Sequence, residues 1–206
     1  MMYLLLTFFA FLLVFVLTEV CTKWLQLNSD LTRKIAHIIS GIITFFTPFY
    51  LTKWEIFSIG IIFFFLLILT KRFKLIPSIH SVQRKTLGEM YFPLAIAISA
   101  LLFLPFDVIA FQFGILILGI SDAVAALVGL RFGKHSYKIL GNKKSLEGSL
   151  AFFITSCLIM LGLIGNFNYN FLFIVFLLTF VEFALVFGLD NLILPVLAGY
   201  LFTLLK

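Results

Sequence analysis

Val108–Leu130 reads VIAFQFGILILGISDAVAALVGL, and this stretch decides the fold. As a helix rising 1.5 Å per residue it can cross about 30 Å of hydrocarbon. Asp122 is its one ionisable side chain. It lies roughly 13 Å inside the helix end at Arg131, at 1.5 Å per residue. A carboxylate at that depth costs about 2.5–3.5 kcal/mol on insertion scales, faces the bundle interior and usually serves function. A structural interhelical hydrogen bond is the plainer explanation. Gly119, Ser121, Ala123, Ala125 and Ala126 around it are small. They permit close helix approach or leave room for a ligand.

The composition agrees with a membrane protein. Of 206 residues, 63% are hydrophobic and only 12% charged, with 28 Phe. A chain this small and apolar cannot hide its hydrophobic surface in a water-soluble globule. That excludes a soluble enzyme, a disordered protein and a nucleic-acid-binding domain, so no nucleic acid partner is expected. Cys21 and Cys157 form no metal-ligand or disulfide spacing and read as buried apolar-like residues. The first segment has no basic n-region and no small-residue cleavage pattern, so it reads as a spanning helix rather than a signal peptide.

The spans are expected at Tyr3–Val20, Ile35–Leu51, Ile56–Thr70, Met90–Leu104, Val108–Leu130 and Leu150–Ile164. The final apolar block exceeds one crossing. Gly188, Asp190, Asn191 and Pro195 are break signals in it, which gives Phe171–Phe187 and Leu192–Leu205. The expectation is an all-α polytopic membrane protein, one domain over residues 1–206, with seven or, better, eight transmembrane helices. Of the 15 Lys and Arg, all but Lys53 and Lys206 fall in the 1–2, 3–4 and 5–6 connections. Basic residues collect on the cytoplasmic side of short loops, which puts those connections inside and the N-terminus outside. Seven of the nine carboxylates accompany them, and only Glu55 and Asp107 lie opposite. Any chemistry is therefore expected at the cytoplasmic face.

Three groups of residues there are candidates. Asp122, Glu182 and Asp190, with Asn191, can supply the hard oxygen ligands that Mg²⁺ shares with substrate phosphates. Asp190 also suits a helix cap. The 5–6 connection carries Gly129, Gly133, Lys134, Lys143, Lys144, Ser145, Glu147, Gly148 and Ser149. Its Gly129–Gly133–Lys134 spacing is one residue short of a P-loop and follows a helix, not a strand. It still holds the ingredients of phosphate binding: glycines, lysines and a helix N-terminus near Ser145. A basic loop on anionic head groups fits the same residues. Arg33 and His37 share one helix face at i, i+4, and Arg84, Lys85 and Glu89 stand where the 3–4 connection enters the membrane. His37 reads as a base, a phosphate donor or an interfacial residue.

The order RKxxH, then RKxxGExYFP, SDAxAxLVGxxFGKH, NKKSLEGS and a late E…DNxxxP resembles the CTP-dependent lipid kinases. That family includes dolichol or polyprenol, phytol and CTP-using diacylglycerol kinases, and is more distantly similar to phosphatidate cytidylyltransferases. The resemblance runs from Arg33 to Pro195, with Ser121 where the family pattern has Gly. It implies transfer of the γ-phosphoryl of CTP to a lipid alcohol, with Mg²⁺ as cofactor and membrane lipids as surroundings. It implies that Asp122, with Asp190 or Glu182, holds the metal, and that Lys143, Lys144 and Ser145 cradle phosphates. It also implies that Arg33, Arg84 or Lys85 neutralises the transferred group, and that His37 or a carboxylate accepts the alcohol proton. A small chain of this kind suits a prokaryotic plasma membrane, or the endoplasmic reticulum in a eukaryote. A CDP-lipid synthase and a small ion-coupled transporter are the competing expectations. The sequence selects no lipid alcohol and no oligomeric state.

Overall fold

The structure is a computed structural model that describes residues 1–73, 75–76, 87–139, 142–165 and 169–204. Among these residues lie eight helices and one β-hairpin. The helices are α1 (Met2–Leu25), α2 (Ser29–Phe46), α3 (Lys53–Arg72), α4 (Gly88–Phe103), α5 (Val108–Phe132), α6 (Leu146–Ile164), α7 (Tyr169–Ala184) and α8 (Asp190–Thr203). Length and composition qualify α1, α3, α5 and α6 as membrane spans, while α4, α7 and α8 are shorter apolar helices. The outward faces are themselves apolar. On α7, Phe173, Phe176 and Phe180 recur at i, i+3 and i+7 and are exposed, as a lipid-facing stripe requires.

The central element is α5. More than half of it is buried, against about a quarter of each other candidate span. Phe111, Phe113, Ile117 and Leu118 have no exposed surface. A π-helical turn at Ile117–Ser121 interrupts it and leads directly into Asp122. Such turns are rare and often stand at functional sites. Beside this turn α2 crosses α5 almost in backbone contact: a Cβ added to Gly41 would sit 2.9 Å from the Cα of Gly119. The Ser121 hydroxyl accepts a hydrogen bond from Ser156 at 2.9 Å. The Gly-to-Ser departure noted above thus ties α5 to α6.

Several features differ from expectation. Helix α2 starts at Ser29, not Ile35, because the Asn28 side chain caps it by accepting the Asp30 N–H at 3.0 Å. Arg33 and Lys34 are therefore inside the helix. Likewise α6 starts at Leu146, not Leu150, with Ser145 as its N-cap. The stretch before it is a hairpin, not an irregular loop: β1 (Ser136–Ile139) pairs antiparallel with β2 (Asn142–Ser145), Ser136 opposite Ser145. Pro195 lies within α8, as in the expected Leu192–Leu205 span, a position that packing in membrane bundles tolerates. The break falls at 185–189, where Phe187 and Gly188 take positive φ of 60° and 81°. A Cβ on Gly188 would stand 2.5 Å from the Cα of Gly88. Cys21 is exposed rather than buried, since a thiol on the outward face of α1 already meets an apolar medium.

The two carboxylates at the far end are consumed by helix starts. Glu55 and Thr52 form a capping box at α3, and Asp107 accepts the N–H groups of Ile109 and Ala110 at α5. The remaining acids gather at the opposite end. The Gly41–Gly119 crossing predicts that Gly119→Val lowers stability by about 1–3 kcal/mol through overpacking. Gly162→Ala, where an added Cβ meets nothing within 4 Å, gains up to about 1 kcal/mol of helix preference. Thermal unfolding in detergent, followed by circular dichroism, checks both signs.

Candidate functional site

A cavity of about 240 Å³ opens at the polar end of the bundle. It sits where α2 and α6 begin, α5 and α7 end, and the hairpin folds over. Asp122 enters it from α5, Glu182 from α7 and Asp190 from the first residue of α8, while Arg33 and Lys34 enter from α2 and Lys144 from β2. Asp30 lines it beside Arg33, and Gly129, Gly133, Ser145, Gly148 and Ser149 form part of the wall. Small residues here bring α5 and α6 together, for a Cβ on Gly148 would come 2.8 Å from the Ala125 carbonyl.

The charges are paired across the cavity. Lys34 Nζ donates to Asp122 Oδ2, and both side chains are at least nine-tenths buried. Lys144 Nζ donates to Glu182 Oε1 at 2.7 Å and to the Glu182 carbonyl, and lies 3.9 Å from Asp190 Oδ2. Burial disfavours the Lys144 ammonium, but Glu182 and Asp190 outweigh it, so its pKa stands above the ordinary lysine value. Ser149 Oγ donates to the other Glu182 oxygen at 3.1 Å. The hairpin is docked by its own contacts. Tyr137 stacks on Phe183 with ring centroids 4.3 Å apart, and its hydroxyl is 3.3 Å from Ser149 Oγ.

Other candidates have different places. Ser145 Oγ accepts the Gly148 N–H at 3.1 Å, so it caps α6 while lining the cavity. Glu147 faces away from the cavity and holds His135, accepting its backbone N–H at 3.1 Å and meeting Nδ1 at 2.8 Å. Lys134 is exposed and lines nothing in the cavity. Asn191 donates from its side-chain amide to the Gly88 carbonyl at 2.7 Å, a tie between α8 and α4. Asp190 Oδ1 accepts the Asn191 N–H at 3.0 Å, but Asp190 is the first residue of α8 and Leu189 its N-cap, with no side-chain cap bond, so the capping reading does not hold; Oδ2 faces Lys144. Lys143 stands opposite Lys138 in the hairpin register. Arg84 and Lys85 lie outside the described residues.

His37 and Glu89 belong to a second, apolar cavity on the other side of Arg33, which lines both. His37 is buried, its ring centroid 4.4 Å from that of Phe92, and its Nδ1 has no hydrogen-bond partner. Glu89, also buried, is paired with Lys71 at 2.6 Å.

Lys34 is the residue that sequence reasoning counted only as a topological charge. Its signal was in the spacing. Lys34, His37, Gly41 and Thr44 follow the 3.6-residue period along one helix face and are all buried. A lysine on the inward polar stripe of a membrane helix needs an acid, and Asp122 is that acid.

No group of three or more His, Cys, Asp or Glu suited to holding a metal alone occurs among the described residues. The donor set of Asp122, Glu182 and Asp190 instead fits Mg²⁺ in the manner that takes one or two carboxylates and completes its shell with phosphates and water.

These features define an integral membrane protein with a charge-lined polar cavity at one end of its helices. No protein-family model and no solved structure matches the chain. Over 147 residues, 70% of this chain, it is 32% identical to a phytol kinase of Synechocystis sp., of which it spans 63%. Over 84% of this chain it is 29% identical to an uncharacterised protein of Methanocaldococcus jannaschii, 92% of which is covered. A 51-residue segment, a quarter of this chain, is 43% identical to 9% of the dolichol kinase of Saccharomyces cerevisiae. The similarity to a phytol kinase and to a dolichol kinase supports the lipid kinase family that the motifs resemble.

The buried pair carries a stability prediction. Lys34→Met leaves Asp122 uncompensated and is expected to cost about 3–5 kcal/mol. The double variant Lys34→Met/Asp122→Leu recovers most of that loss. Thermal midpoints of the two variants in detergent decide the matter, and equal midpoints would show that the pair is not a structural unit.

Proposed function

We propose that the protein transfers the terminal phosphoryl group of CTP to the hydroxyl of a lipid alcohol at the cytoplasmic face of its membrane. The observation that carries this reading is the polar cavity itself, where four carboxylates face two lysines and an arginine at the end of the spans. Phosphoryl transfer needs positioning and charge neutralisation more than covalent chemistry from the protein. This cavity supplies both. The CTP preference and the orientation rest on the family resemblance and on the distribution of Lys and Arg.

In this reading Lys34 and Lys144 exchange partners when the triphosphate enters. Their ammonium groups turn from the carboxylates to phosphate oxygens, and Asp122, with Glu182 or Asp190, is released to hold Mg²⁺. The ion, when bound, neutralises phosphate charge and fixes the triphosphate geometry. Gly129 and Gly133 let the backbone come close to the phosphates, and Ser149 keeps its hydrogen bond to the Glu182 carboxylate when Lys144 turns away. Arg33 stands between the two cavities and meets the charge that builds on the transferred group. The alcohol oxygen forms a bond to the terminal phosphorus as the bond to the bridging oxygen breaks. CDP leaves, and the alcohol proton passes to His37 Nδ1, which is buried and without a partner.

The test is transfer of label from γ-labelled CTP into lipid, with Mg²⁺, protein in mixed micelles and a panel of polyprenol, phytol-like and diacylglycerol acceptors. Asp122→Asn is expected to lower kcat by at least about a hundredfold, as loss of a preorganised charge partner does. His37→Gln is expected to lower kcat by about 10²–10⁴ with KM for CTP unchanged, the usual weight of a general base. Unlabelled lipid with pyrophosphate released on phosphatidic acid would replace the kinase reading with CDP-lipid synthesis.

A further inference from the structure

The apolar cavity that shares Arg33 with the polar one is narrow and long. Its free volume is about 50 Å³. Along α2 its lining runs from Arg33 through His37, Ser40 and Thr44 to Thr47 at the helix end, roughly 21 Å at 1.5 Å per residue. Helix α3 lines it antiparallel, from Leu67 near Arg33 to Ile56 near Thr47, and Phe11 and Phe15 of α1 close the outer side. So small a volume over such a length is one hydrocarbon chain wide. A fully extended chain advances roughly 1.2 Å per bond, since three backbone bonds span about 3.6 Å. The channel therefore suits a tail of about 16–18 chain atoms.

Its chemistry is asymmetric. The lining is apolar along most of its length, and the hydroxyls of Thr44 and Thr47 are satisfied by backbone carbonyls. The polar end is different. There His37, 95% buried, carries an Nδ1 with no partner, and Arg33, whose Nη2 lies 3.9 Å from Asp30 Oδ1, has an Nε with none. An imidazole Nδ1 and a guanidinium Nε left unsatisfied at one end of an apolar channel call for a ligand with one small polar head and one apolar tail.

Resting on the kinase reading for the identity of the head, we infer that this channel is the acceptor site. It takes a primary alcohol with a single extended tail, hydroxyl at His37 and Arg33, tail tip near Thr47 and Ile56. Two-tailed glycerolipids are excluded by width. Phe63 sets that width. It is buried against Phe8, Phe11 and Phe15, with ring centroids 5.2–5.5 Å away.

The experiment is photolabelling of the full chain in detergent, without nucleotide, by hexadecanol carrying a diazirine at its tail tip. Labelled peptides are then mapped by mass spectrometry. Label is expected on residues 44–56, displaced by excess hexadecanol and not by dipalmitoylglycerol. Ser40→Leu, which fills the channel, is expected to reduce it roughly tenfold. Phe63→Ala widens the channel and should let dipalmitoylglycerol compete, which keeps the idea testable if Ser40→Leu does not fold. Label confined to outward residues such as Phe65 and Leu69, or label on residues 44–56 that hexadecanol does not displace, overturns the proposal. Because no nucleotide is present, the two readings fail separately. Channel labelling without any lipid phosphorylation removes the kinase and keeps the channel. Phosphorylation without channel labelling does the reverse.

Discussion

Neutralisation of Asp122 governs the rest of the structure. A carboxylate carried that far into a membrane helix is tolerated only beside a cation. Lys34 is that cation, and its reach sets how close α2 must come to α5. The Gly41–Gly119 crossing provides the closeness. The same requirement repeats at Glu182, whose partner Lys144 arrives on a hairpin rather than a helix. That hairpin is held at both sides, by Tyr137 on Phe183 and by Glu147 on His135. The polar end is thus a set of compensating charges, with Lys34 and Lys144 each delivered by a different element from its acid.

This arrangement makes the molecule strongly polarised along the membrane normal. At one end, Glu55 and Asp107 cap helix starts. At the other, acids and cations share a cavity, and a narrow apolar channel leads away from it between α2, α3 and α4. Arg33 is the only α2 cation lining both spaces among the described residues. Chemistry that joins a water-soluble anion to a membrane-dissolved alcohol needs such a junction.

Much of this was legible in the sequence, for physical reasons. A carboxylate amid small residues in an apolar stretch is costly, so Asp122 and Glu182 announced themselves. The turn before Asp190 was legible because the last apolar block is too long for one crossing. Lys34 was not, because basic residues near helix ends are so often explained by topology alone. Its burial follows from α2 starting at Ser29, a consequence of the Asn28 cap. The hairpin was hidden because strands this short carry no alternation that survives four lysine- and serine-rich residues. The separation of His37 and Glu89 from the polar cavity depends on how α2, α3 and α4 pack, and spacing along one chain does not contain that.

The π turn at Ile117–Ser121 has a consequence for the length of the chain. A π turn holds one residue more than the α-helix around it, and each residue advances a helix by about 100°. Everything after it, Asp122 included, is therefore rotated by about that angle relative to an uninterrupted helix. Losing a single residue within the turn would restore regular winding and swing the carboxylate off the face that meets Lys34. A one-residue deletion between Val108 and Asp122 would therefore give a chain with a differently placed site.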